Sequence, residues 1–356
     1  MNKKYIGTLS LSVIALLGTT ELNAADNDTA HEGKTINITL PKVVEAPESQ
    51  AIVVPAVKVV VDGKEETPTE YKREDHNRNG IGFSKRIPPK EIEEVDNSGS
   101  NSGVGEIKNS RVSAYLRTSS LPKAEVKSKL ERAGFSILAS YDLDKKGTLT
   151  SIVFTDKEMA SSAAKENRGF AGTLRLLIDE QSGSMSISNP IYVMKAFMQD
   201  DYSSELAGQT LHRLRVEFGG LSDSEDIMKV TRLENYQFMM SMPYYEDMLE
   251  VASGTNAALL QQARKSKKII YEQHLSNGSV VLGIDLSKRT SKFVKKIGYQ
   301  NGGLLPYPVL IENNTAKILA PKYYIAVMYP MLSMSQFMGI ATIPGAIEKE
   351  CDKVFR

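Results

Sequence analysis

The feature that most constrains this chain is an internal repeat. The segment from Leu304 to Phe355 carries the run Leu310-Ile311-Glu312-Asn313 and then Ala320-Pro321-Lys322-Tyr323. Between Gly172 and Met198 the same pattern stands as Leu177-Ile178-Asp179-Glu180 followed by Asn189-Pro190-Ile191-Tyr192. The offset is about 130 residues, the signature of one supersecondary unit used twice, so any fold proposed for one stretch has to serve the other as well.

Taken in order, the first copy predicts a strand at Val112–Arg117 and a helix that opens at Leu121-Pro122 and ends at Gly134. Pro is tolerated in a first turn because its missing N–H would have no partner there. Val126, Leu130 and Ala133 share one face of that helix, the face expected to cover a sheet. Strands follow at Phe135–Ala139 and Leu149–Phe154, then a short helix capped by Asp156, a hairpin of Leu174–Asp179 with Met185–Ser188, and a helical tail to Phe218. The second copy opens at Met248–Val251 and continues with a helix from Asn256 to Ser266, whose Leu259, Leu260 and Ala263 point inward. Its paired strands are Ile269–Glu272 and Val280–Ile284, joined at Asn277-Gly278, where both turn residues accept positive φ. Each copy therefore reads β-α-β-β-α-β-β-α, an antiparallel sheet covered by helices. The first repeat domain is expected over 106–220, a connector over 221–246 beginning at the Gly219–Glu225 break, and the second repeat over 247–356. At 356 residues the chain exceeds the size at which a single core usually stops growing, so two cores are expected.

The amino-terminal third reads differently. Lys3 and Lys4, an apolar run through Leu17, and small residues at Ala24 and Ala25 form a secretory pattern over 1–24, with removal expected rather than anchoring. This implies a periplasmic or secreted protein with no stable membrane span after cleavage. From 25 to 105 the chain reads as a flexible arm, with one strand signal at Ala51–Val61 that Pro55 bars from a central position, leaving an edge strand or a partner-binding strand. Asp75–Gly80 resembles half of a calcium loop, but Arg86 occupies the position of the closing acid, so a turn is the better reading.

Forty-four basic against forty-three acidic residues leave no global field to gather nucleic acid, which is excluded as a partner. No catalytic triad, phosphate loop, dinucleotide fingerprint or His/Cys metal spacing occurs; His31, His76, His212 and His274 are scattered. Cys351 is expected to be a buried structural thiol. Methionine is the unusual resource. Met239, Met240 and Met242 could offer soft thioethers to Cu(I), whereas Met331, Met334 and Met338, at i, i+3 and i+7, are expected to fill the core from one helix face. No cofactor is expected.

Three segments, Leu130–Phe135, Arg168–Gly172 and above all Leu304-Leu305-Pro306-Tyr307-Pro308-Val309-Leu310-Ile311-Glu312, resemble the domain of unknown function 302 family. The resemblance covers most of the chain from Arg111 onward. It implies an α+β architecture of two tandem TATA-binding-protein-like domains, each a curved sheet covered by helices, and it brings no activity with it. The first copy has Gly172-Thr173-Leu174 where the second has Leu305-Pro306-Tyr307, so a site in that corner belongs to the second copy. The residues expected to line it are Leu305, Pro306, Tyr307, Glu312 and Tyr323. The resulting expectation is an exported, non-enzymatic binding or interaction protein for an unidentified protein or small molecule. A small-molecule or enzymatic module in the second repeat, or copper handling through Met239, Met240 and Met242, is the alternative.

Overall fold

The structure, a computed structural model, describes residues 100–356 together with three strands of the amino-terminal third. Those strands, β1 (Asn37–Thr39), β2 (Lys58–Val61) and β3 (Lys64–Glu66), form an antiparallel sheet in the order β1-β2-β3. They belong to a separate compact unit, Met1–Lys90. Of the expected strand at Ala51–Val61, the described part is β2, and it is central in its sheet, not at an edge. No residue of β2 is a proline, so each keeps its ladder donor. The secretory pattern and the half calcium loop lie outside the described residues.

The second unit, Glu91–Arg356, is mixed α+β. Its first copy runs β4 (Arg111–Ser113), β5 (Tyr115–Ser119), α1 (Lys123–Arg132), β6 (Ser136–Asp142), β7 (Leu149–Thr155), α2 (Lys157–Ser162), β8 (Leu174–Asp179), β9 (Ser184–Ser188), α3 (Pro190–Met198) and α4 (Ser204–Glu217). Short elements follow: β10 (Ser222–Asp223), β11 (Ile227–Lys229) and α5 (Val230–Leu233). The second copy runs β12 (Leu249–Ser253), α6 (Asn256–Lys265), β13 (Ile269–His274), β14 (Val280–Ile284), α7 (Lys288–Ser291), α8 (Phe293–Ile297), β15 (Tyr307–Glu312), β16 (Thr315–Ile318), α9 (Pro321–Met328), α10 (Met334–Gly339) and α11 (Ile343–Lys353).

The two main sheets have the same topology. One is ordered β10-β5-β9-β8-β7-β6 and the other β12-β16-β15-β14-β13, every pair antiparallel. Without β10, each places its first strand beside its fifth, then the fourth, third and second. One irregularity also corresponds, β6 bulging between Ile137 and Ala139 and β13 between Ile269 and Tyr271, whereas the shift in β12 between Glu250 and Ala252 has no counterpart in β5.

Local chemistry explains most boundaries. Asp156 accepts the Met159 N–H at 2.7 Å to cap α2, Asn189 accepts from Ile191, Ser203 from Leu206 and Thr255 from Ala258, each satisfying a donor that a helix start leaves without an intrahelical partner. Pro190 and Pro321 open α3 and α9 at their first turns. The β13–β14 hairpin forms where Asn277-Gly278 predicted it, but only Gly278 takes positive φ, at 82°. The pairing closes through Leu275 N–H to the Ser279 carbonyl and Gly278 N–H to the Leu275 carbonyl. Two consecutive left-handed residues stand instead at Asn313-Asn314, φ 50° and 62°, between β15 and β16, as they also do at Asn109-Ser110; asparagine accepts this conformation more readily than most residues.

Buried apolar side chains from both copies form one contiguous core rather than two. The copies share it because each drives a 3-10 segment into the sheet of the other. A side chain on Gly169, in the segment Gly169–Gly172, would stand 2.6 Å from Leu310 Cδ1 and 3.1 Å from Val281 Cγ2 of the second sheet. Gly302, in Tyr299–Leu304, faces Leu177 Cδ2 of the first sheet at 3.8 Å and Leu143 Cδ2 at 3.2 Å. Leu177 and Leu310 are equivalent in the repeat, so the contact is reciprocal. The helices repeat the exchange: Tyr192 of α3 donates its hydroxyl to the Val327 carbonyl of α9 at 2.6 Å, and Tyr323 of α9 donates to the Ala196 carbonyl of α3 at 3.4 Å. This is the geometry of an isologous dimer interface built inside one chain.

Candidate functional site

The corner singled out in the second copy lies on this internal interface. The Leu305–Pro306 peptide is cis, and the chain turns there from the 3-10 segment into β15. Leu305 and Tyr307 are buried, Tyr307 completely. The Tyr307 hydroxyl donates to the Leu319 carbonyl at 2.8 Å, and its ring meets Tyr324 edge-on with centroids 5.2 Å apart. Tyr324 in turn donates to the Leu304 carbonyl at 2.9 Å. Tyr323 points across the interface to α3, in edge contact with Tyr236 and Tyr245, both at 5.9 Å. Glu312, at the end of β15, is also buried, where it accepts the Asn167 N–H at 2.8 Å and the Asn277 side-chain amide at 3.4 Å. The five expected residues therefore share one strand-and-helix layer, but Glu312 is spent on holding the first copy's Asn167 loop, far along β15 from the Pro306 turn.

Three groups that the sequence did not single out dominate the polar chemistry here. Arg175 of β8 is 4% exposed, donating to the Tyr271 hydroxyl at 3.2 Å and to the Pro306 carbonyl at 3.3 Å. Its Nε has no hydrogen-bond partner, and among the described residues no carboxylate forms an ion pair with it. Gln273 of β13 crosses to the first copy, its amide donating to Thr155 Oγ1 at 3.0 Å and the Gly172 carbonyl at 2.9 Å, while its Oε1 is left unpaired. Arg117 of β5 grips the second copy's 3-10 segment, donating to Asn301 Oδ1 at 2.7 Å and the Gln300 carbonyl at 2.7 Å, and pairing with Asp226 at 3.0 Å. A lone Arg between Leu174 and Leu176 was the one available signal for Arg175: a charged residue in an otherwise apolar strand.

Burial governs the titratable groups. Desolvation pushes the phenols of Tyr115, Tyr192, Tyr307, Tyr323 and Tyr329 well above their ordinary value, so they act as hydrogen-bond donors. Cys351 is buried against the core, and desolvation raises its thiol far out of the range in which a thiolate nucleophile forms. His212 and His274 are exposed. Among the described residues no group of three His, Cys, Asp or Glu side chains is placed to hold a metal ion, and no helix is long and apolar enough to cross a membrane.

The methionines divide differently from expectation. Met239 and Met240 are exposed, at 44% and 89%, and Met242 is partly buried against the core. Met331, Met334 and Met338, expected in the core, are exposed instead. Helical spacing does put Met334 and Met338 on one face, but α10 starts only at Met334, with Ser333 as its cap in a capping box with Gln336, and the face it turns inward carries Phe337. Phe337 packs on Phe238 with ring centroids 5.2 Å apart. Met331 precedes the helix, so the expected three-residue face does not form, and the larger Phe337 ring takes the interior in place of Met334 and Met338. The expected connector is likewise not a passive link, because β10 extends the first sheet, β11 pairs with β4, and Tyr236 and Tyr245 are buried against α9.

A scan against protein-family models matched none, and searches of curated proteins and of solved structures also matched none.

Proposed function

We propose that this chain is an exported, non-enzymatic binding or interaction protein made of two TATA-binding-protein-like repeats of the domain of unknown function 302 kind. The repeat reading is supported by the identical strand order of the two sheets and by the residue resemblance at Leu304–Glu312. Export rests on the amino-terminal pattern of Lys3, Lys4 and the apolar run that follows. The observation that carries the binding function is the fate of the second-copy corner: Tyr307, Tyr323, Tyr324 and Glu312 each use their polar atoms to join strands, helices or copies. A catalytic site needs convergent polar groups free to meet a substrate, and these are committed to structure. Recognition then falls to the outer surface. The test is recovery of the native protein from its compartment and mass spectrometry of whatever stays bound. A co-purifying macromolecule supports the reading, and a stoichiometric small molecule overturns it.

Copper handling is favoured by one observation. Met242 N–H donates to the Met239 carbonyl at 2.9 Å, with Ser241 left-handed at φ 69°, so Met239, Met240 and Met242 leave a single tight turn. Three thioethers on so short a span suit a soft monovalent cation. Copper content measured after replacing all three with serine tests it, and unchanged binding sinks the idea.

A further inference from the structure

We propose that one face of the second unit, formed by α7, α8, α10 and the loop around Met239 and Met240, docks peripherally on an anionic lipid surface. Two features converge on it. The first is charge. Lys288, Arg289, Lys292, Lys295 and Lys296 are all exposed, and none forms an ion pair among the described residues. Between Asp285 and Glu312 the chain has no acidic residue. The near-neutral balance of the whole protein hides this patch, because charge that cancels over 356 residues does not cancel locally. Glu350 of the neighbouring α11 is turned to the Ser287 N–H, the Ser287 hydroxyl and the Thr290 hydroxyl.

The second feature is an uncharged, apolar projection beside the cations. From Tyr329 to Ile347 no residue is charged, yet Met331, Met334 and Met338 stand 64%, 38% and 63% exposed. The loop from Asn235 to Tyr245 is also free of charge and exposes Met239, Met240 and Tyr244. The contact between Phe238 and Phe337 ties this loop to α10. Lys296 donates to the Gly339 carbonyl at 3.3 Å, which places the cationic helix at the carboxyl end of α10, next to Met338. Flexible thioether side chains on uncharged segments, rimmed by unpaired lysines, match the chemistry of an interfacial anchor: apolar groups enter the headgroup boundary while cations meet lipid phosphates. An acidic protein would answer the charge but not the exposed methionines, and a purely apolar partner would leave five cations unanswered.

The proposal goes beyond the binding function above and does not depend on which macromolecule co-purifies. It is tested with purified full chain in a sedimentation assay against phosphatidylcholine vesicles with and without phosphatidylglycerol. Binding is expected only with phosphatidylglycerol and is expected to weaken as salt rises. Each cation near such a surface contributes roughly fivefold to partitioning, so Lys292→Glu with Lys295→Glu should lower it by at least about tenfold. Met334→Ser with Met338→Ser, exposed and outside the core, should lower vesicle binding while leaving binding to heparin unchanged. Circular dichroism confirms that both variants stay folded. No binding to either vesicle, equal binding to both, or equal loss of heparin and vesicle binding in the methionine variant would overturn membrane docking. Vesicle binding that survives the methionine change would reduce the patch to a general polyanion surface and refute the proposal equally.

Discussion

Alkaline pH should dismantle this protein through its buried tyrosines. Tyr236 and Tyr324 are 3% and 0% exposed, and burial pushes each phenol from 10.0 up to about 12, with Arg232 and Arg175 respectively pulling in the opposite direction. A phenol whose pKa is higher in the folded than in the unfolded chain contributes stability that is fully present below the unfolded value. That stability is lost as pH rises through the folded value, because the unfolded chain then releases the proton first. Two units at about 1.4 kcal/mol each make roughly 2.7 kcal/mol per tyrosine, or about 5 kcal/mol for the pair between pH 10 and 12. That is on the order of the whole stability of a typical domain. Tyr115, Tyr192, Tyr245, Tyr307, Tyr323 and Tyr329 are shifted upward as well, also mainly by desolvation, and deepen the loss. Urea unfolding followed at a series of alkaline pH values, with tyrosinate absorbance recorded in parallel, reads both quantities. The unfolding free energy should fall steeply above pH 10, and most tyrosinate should appear in one cooperative step together with loss of helical circular dichroism. Smooth ionisation of the buried set near pH 10 with undiminished stability would refute the reasoning.

Three further outcomes follow from the interface between the copies. Gly169→Ala should destabilise the 91–356 unit by about 1–3 kcal/mol, because the new methyl meets Leu310 and Val281 inside van der Waals contact. Gly302→Ala, whose nearest contact is 3.2 Å from a Leu143 methyl, should cost less, and urea midpoints that reverse this order would contradict the packing described. Tyr192→Phe should cost about 1–2 kcal/mol by leaving the Val327 carbonyl without its cross-copy donor, more than Tyr323→Phe with its longer bond; equal effects in equilibrium unfolding would argue against the asymmetry. Arg175→Met should be neutral or stabilising by on the order of 1 kcal/mol, since it removes a buried guanidinium without a carboxylate partner at similar volume. A loss of several kcal/mol in the same assay would mean that its bonds to Tyr271 and Pro306 outweigh its desolvation.

What the sequence by itself determined is local and repetitive. The duplication, the order of strands and helices in each copy and the Asp156 cap were all legible, because caps, turns and periodicity act over a few residues. Periodicity also placed Met334 and Met338 on one face and Val126 with Leu130 on another. Which face is covered is a different matter: Val126 and Leu130 went inside, whereas the two methionines went out once Phe337 found Phe238. The reciprocal exchange of 3-10 segments, the burial of Arg175 and Gln273 between the copies, and the gathering of five lysines and arginines beside an uncharged tip were decided only by tertiary structure. Each joins residues roughly 40 to 160 positions apart, and the free energy of such contacts depends on which surfaces meet, a quantity that no short-range pattern encodes.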